Sequence, residues 1–153
     1  MPGSGSVGLR LLRYLPTMNS LLVACSDGRV APALDDLQRR LHIEDADRLL
    51  VPGGPLSLTR TGAERRVAKD SVSQIVQYHA IRRIVLVSHQ DCFAYERALG
   101  GLGFDQQRIL ERDLQRVKAD LESDHLGVDV ECYVIPWRED AEGASFGRAE
   151  LVK

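Results

Sequence analysis

Two short apolar runs, Leu21-Leu22-Val23-Ala24 and Ile84-Val85-Leu86-Val87, each lead straight into a cluster of reactive side chains. The first runs into Cys25-Ser26-Asp27-Gly28-Arg29, and the second into His89-Gln90-Asp91-Cys92. A short, continuous apolar run closed by polar turn-formers reads as a strand buried on both faces. Such strands need cover above and below, and their carboxyl ends carry the chemistry. This placement restricts the fold more than any other feature of the chain.

The remaining pattern supplies the cover. Pro32 to Leu41 places Leu34, Leu37 and Leu41 at helical spacing, with Pro32 tolerated in the first turn. Leu49-Leu50-Val51 reads as a second strand, ended by Pro52-Gly53-Gly54-Pro55, which must turn. Thr61 and Glu64 have capping-box spacing for a helix with Ala68, Val72, Ile75, Val76 and His79 as its apolar stripe, ending near His79. Gln106 to Asp124 is amphipathic through Leu110, Leu114, Val117 and Leu121. In the last strand Val128, Val130, Cys132 and Val134 alternate with Asp129, Glu131 and Tyr133, which predicts one buried face near a sheet edge. Strands alternating with helices predict an α/β fold, a mainly parallel sheet with helices on both faces. Ligands then bind beyond the strand carboxyl ends, where the strand order switches.

The 153 residues, 44% of them hydrophobic, suit one domain, expected over residues 9–153, after a Gly/Ser/Pro-rich flexible segment at residues 1–8. The 20 basic and 22 acidic residues are mixed along the chain and leave a net charge of −2, which argues against nucleic acid or an anionic membrane as partner. No apolar run reaches the roughly 20 residues of a membrane span, and Arg10, Arg13 and Tyr14 interrupt the only N-terminal run resembling a secretion signal. A cytoplasmic location is expected. There, three cysteines read as free thiols or metal ligands rather than disulfides.

Cys25 at one strand end, with His89 and Cys92 at a neighbouring one, would make a Cys2His zinc site with one coordination position left over. Cys132 lies on the apolar face of the last strand and reads as core. His42, His79 and His125 read as surface or helix-end residues without function. Asp27 is either a fourth ligand or a carboxylate gripped by Arg29, which would stabilise it or hold it off the metal. Cys25 and Arg29 stand too close in sequence for a cysteine-phosphatase loop. Gly100-Gly101-Leu102-Gly103 follows a helix and is no dinucleotide fingerprint.

Cys25-x-Asp27-x-Arg29 followed by His89-x-x-Cys92 resembles the zinc signature of the β-class carbonic anhydrases, over about Leu21 to Trp137. The resemblance implies zinc on Cys25, His89 and Cys92, Asp27 and Arg29 as a gating pair, and a homodimer with active sites at the subunit interface. It also implies reversible hydration of CO2 to bicarbonate by zinc-bound hydroxide, with activity rising toward alkaline pH because thiolates make zinc a weaker Lewis acid. The chain departs from the family pattern at Val51-Pro52-Gly53-Gly54-Pro55, where Arg-Asn-Ala-Gly is usual, and at Phe93, where glycine is usual. Two alternatives follow: a non-catalytic zinc protein closed by Asp27 with Phe93 filling the pocket, or a zinc enzyme acting on carbonyl sulfide or carbon disulfide.

Overall fold

The two apolar runs become the centre of a five-stranded sheet, in the order β2-β1-β3-β4-β7. Strand β1 (Ser20–Cys25) is buried at every position, and β3 (Arg83–His89) at every position after Arg83. Strand β1 pairs in parallel with β2 (Asp47–Val51) on one side and with β3 on the other. Strand β3 pairs in parallel with β4 (Asp129–Ile135), from Arg83 opposite Asp129 to His89 opposite Ile135. Strand β7 (Glu150–Leu151) closes that edge antiparallel to β4. The chain runs outward from β1 to β2, then crosses back past β1 to β3. The strand order therefore reverses between β1 and β3, where the carboxyl ends of α/β sheets form a binding crevice.

A computed structural model describes residues 20–100 and 105–153. The expected N-terminal segment at residues 1–8, the start of structure near Leu9 and most of the Gly100–Gly103 run lie outside the described residues.

Successive strand residues face opposite ways, so each face has its own core. Leu22, Ala24, Val85 and Val87 pack against Leu34 and Leu37 of helix α1 (Ala31–Leu41). On the other face Leu21, Val23, Ile84 and Leu86 meet Ala68 and Val72 of α3 (Gly62–Tyr78), and Leu110, Leu114, Val117 and Leu121 of α5 (Gln106–Asp124). Two shorter helices, α2 (Leu56–Thr59) and α4 (Phe93–Leu99), follow the carboxyl ends of β2 and β3. Both faces of a mainly parallel sheet are covered, as the sequence pattern predicts. No helix among the described residues is long and apolar enough to cross a membrane.

Several local expectations are corrected. Helix α2 follows the Pro-Gly turn directly, its one turn being too short to set up a periodic signal. Thr61 sits at the N-cap of α3 but makes no side-chain cap bond, because the chain enters the helix through Gly62 at φ +73°. His79 leaves the apolar stripe and pairs with Asp47 instead. Strand β4 is not the last: β5 (Trp137–Asp140) and β6 (Gly143–Phe146) form an antiparallel hairpin before β7. Tyr133 is buried rather than solvent-facing, since Ala149 of the returning chain shares its cluster with Leu34 and Ile135.

Candidate metal centre

Cys25 ends β1, His89 ends β3, and Cys92 is the N-cap of α4. Their donor atoms all lie within 4.8 Å of one another, a group the described residues assemble around the β1/β3 switch. All three are buried, at 6%, 2% and 2% exposure. His89 Nδ1 lies 2.7 Å from the carbonyl oxygen of Gln90. A carbonyl only accepts, so Nδ1 carries the ring proton and Nε2 presents a lone pair. That Nε2 is buried with no hydrogen-bond partner. An unsatisfied buried polar atom costs about 1–3 kcal/mol, and a lone pair aimed at two thiols is what a metal ion satisfies. The Phe146 ring stands edge-on to the imidazole at 5.2 Å and fixes its plane from the other side.

The Cys25 sulfur is cradled by the turn after β2. Gly53 N–H donates to Sγ at 3.3 Å. Gly54, at φ +55°, lies so close to β1 that a Cβ there would sit 2.6 Å from the carbonyl carbon of Ala24 and 2.7 Å from the nitrogen of Cys25. This position needs glycine for both conformation and space. The Cys92 thiol beside Cys25 holds the Cys25 pKa well below the ordinary thiol range, against the opposing effect of burial. The same contact, with burial, pushes Cys92 up. Without a cation the pair therefore supports a single thiolate. Two thiols and a neutral imidazole are a donor set suited to zinc, whose double charge would let both sulfurs ionise.

Asp27 does not join the donor group. Arg29 takes its carboxylate through Nε, at 3.0 Å from Oδ2, and through Nη2 at 2.6 Å. The backbone N–H of Arg29 adds a bond to Oδ1 at 2.9 Å. These contacts, led by the guanidinium, hold the Asp27 carboxyl below the usual carboxylate range. Of the two positions the sequence allowed for Asp27, the geometry has the one gripped by Arg29. Phe93 is 73% exposed, so it neither fills the pocket nor packs under the following helix. Beside His89 opens a cleft of about 490 Å³, lined by Gln90, Asp91, Tyr95 and Trp137 among others.

The sequence reading brought together Cys25, His89 and Cys92, and paired Asp27 with Arg29. It missed Asp91, Gly53 as a donor to Cys25, and the Trp137 and Phe146 rings. Asp91 stood inside the His-x-x-Cys segment and was readable there as a second carboxylate. Phe146 carried no signal, because only the hairpin brings it to His89. Cys132 is buried core, as expected, and His42, His79 and His125 are helix C-caps.

No family model matches the chain. Two curated relatives, uncharacterized proteins of Rickettsia conorii and Rickettsia bellii, are 29% identical over 92 residues and 28% over 91. The aligned part is 58% of this chain in both, and 50% and 56% of the relatives, so the chain spans about half the length of the curated relatives it matches. Among solved structures, a carbonic anhydrase from Streptococcus mutans superposes with a TM-score of 0.52 at 22% identity, over 92% of this chain and 84% of that one. A carbonic anhydrase from Glaciozyma antarctica gives 0.52 at 16% identity, over 98% of both chains. The β-carbonic anhydrase CafD of Aspergillus fumigatus gives 0.54 at 13% identity, over 86% and 90%. At such identities the shared property is the fold, and the chain has the α/β fold of the β-carbonic anhydrases.

Proposed function

We propose that this chain is a zinc-dependent lyase of the carbonic anhydrase type, hydrating CO2 reversibly to bicarbonate at Cys25, His89 and Cys92. The observation that carries the reading is the partnerless lone pair of His89 Nε2, buried against two thiols of which Cys25 is already inclined to ionise. Cys25, His89 and Cys92 would hold zinc, which would supply Lewis-acid activation of a water molecule as the nucleophile. The chain's own groups arrange the rest. Gln90 fixes the His89 tautomer, and Gly53 N–H steadies the Cys25 sulfur. Asp27, kept ionised and turned toward Arg29, is available as an acceptor for an O–H group beside Cys25 and would orient its lone pairs. The cleft beside His89 would be the approach for a small neutral substrate. A homodimer belongs to the same proposal, supported by the exposed Phe93 ring directly after Cys92.

The test is stopped-flow CO2 hydration by protein of measured zinc content, at neutral and alkaline pH, beside a Cys92→Ser control. We expect zinc-dependent turnover that rises toward alkaline pH and is lost in the control. Zinc-loaded protein with no CO2 turnover would overturn the reaction, and hydration of carbonyl sulfide or carbon disulfide by the same sample would identify the substrate instead.

A further inference from the structure

Arg29 does not serve Asp27 alone. While Nε and Nη2 hold Asp27, Nη1 donates to Asp91 Oδ2 at 3.0 Å and Nη2 reaches the Asp91 carbonyl oxygen at 3.3 Å. The guanidinium carbon also lies 5.4 Å from the ring centre of Phe146 and 5.9 Å from that of Trp137, within cation–π range of both. Asp91 is itself fixed. Its backbone is left-handed at φ +53°, and its N–H donates to Gln106 Oε1 at 3.1 Å. Trp137 N–H bonds Gln90 Oε1 at 2.8 Å, which ties the hairpin to the same loop. The β1 loop, the β3 loop and the β5–β6 hairpin thus meet at one guanidinium.

This arrangement has a physical purpose that the Asp27–Arg29 pair lacks on its own. The Arg29 side chain is 51% exposed, and an arginine held by a single partner keeps much of its rotamer freedom. A carboxylate two residues from Cys25 would be drawn to a dication as soon as its guanidinium drifted. We propose that Asp91 is a positioning residue: with the Trp137 and Phe146 rings it fixes Arg29 in the orientation that keeps Asp27 away from the Cys25, His89 and Cys92 donors. The inference rests on the zinc reading above for its consequence, but the anchoring of Arg29 is a property of the metal-free chain.

Two measurements test it. In metal-free protein, hydrogen exchange of the Arg29 Nε–H is followed by nitrogen-15 NMR in the parent, in Asp91→Gly, which keeps the left-handed backbone without strain, and in Asp91→Asn, which keeps an acceptor oxygen. We expect exchange to be about two- to fivefold faster in Asp91→Gly, the range of an exposed ion pair, and partly restored in Asp91→Asn. In cobalt(II)-loaded protein, azide binding is read from the visible spectrum. Asp91→Gly should weaken it, and adding Asp27→Ala should restore it, because the competing carboxylate is gone. Unchanged Arg29 exchange in a folded Asp91→Gly protein, or weakening that persists with Asp27→Ala, overturns the proposal. If the protein takes up no cobalt, the zinc reading falls and the exchange measurement alone decides the role of Asp91.

Discussion

At the scale of single residues, the site depends on atoms with no room to move. Adding one methyl at Gly54 drives a Cβ into the backbone at Ala24 and Cys25 and forces a left-handed φ on a residue that resists it. Gly54→Ala should therefore lose about 1–3 kcal/mol of stability and retain less zinc in its folded fraction; denaturant unfolding with metal analysis measures both. The thiols make a second expectation. Cys25 has a depressed pKa, so its contribution to stability is complete above the ordinary thiol range and is lost as pH falls through the depressed value. Cys92 is raised, so its contribution holds below the ordinary range and is lost as pH climbs. Metal-free protein should then carry one thiolate at neutral pH, visible in the ultraviolet and absent in Cys25→Ser. Two protonated thiols at neutral pH would contradict the geometry. At this scale the sequence was most legible where residue types were chemically rare, as with Cys25, His89 and Cys92. It was least legible for Gly53 and Gly54, whose roles lie in one N–H and in an absent Cβ.

At the scale of elements, stability comes from helix α5 lying on one face of the sheet and α1 on the other. Leu114 is fully buried beneath α5 against the central strands. Leu114→Ala should cost about 2–5 kcal/mol in denaturant unfolding while leaving the zinc stoichiometry of folded protein unchanged, because the donors stand at the ends of β1 and β3 and at the start of α4 instead. The same element explains what sequence patterns can deliver. Over Gln106–Asp124 a sustained apolar stripe marked the helix, whereas the cap supplied by Asp105 to the Arg108 N–H is seen only in the fold. Strands β1 and β3 were legible because both their faces are buried, which leaves an uninterrupted apolar run. Strands β5, β6 and β7 are short and mostly exposed, so no alternation marks them. Their position follows from tertiary packing of Phe146 and Trp137 against the site, which a local pattern does not encode. The unformed capping box at Thr61 has a similar origin, since Gly62 at φ +73° redirects the chain entering the helix.

At the scale of the whole molecule, a strand order that reverses between β1 and β3 brings distant segments to one crevice, and the fold is that of the β-carbonic anhydrases. The parallel, doubly covered sheet was legible from strands alternating with helices, and so was the convergence of the two reactive clusters, whereas the strand order was not. The third contribution, from the hairpin after β4, was not. The proposed homodimer predicts that Phe93, exposed beside Cys92, is covered in the assembly. Phe93→Glu should shift sedimentation from dimer to monomer, and a dimer that persists unchanged would remove Phe93 from the interface. Whether Cys25, His89 and Cys92 bind zinc is read by zinc K-edge X-ray absorption on protein of measured metal content. We expect one zinc per chain with two sulfur neighbours at about 2.3 Å and lighter neighbours near 2.0–2.1 Å, the sulfur count falling to one in Cys92→Ser. Protein that retains no zinc, or zinc surrounded only by nitrogen and oxygen, would contradict that expectation.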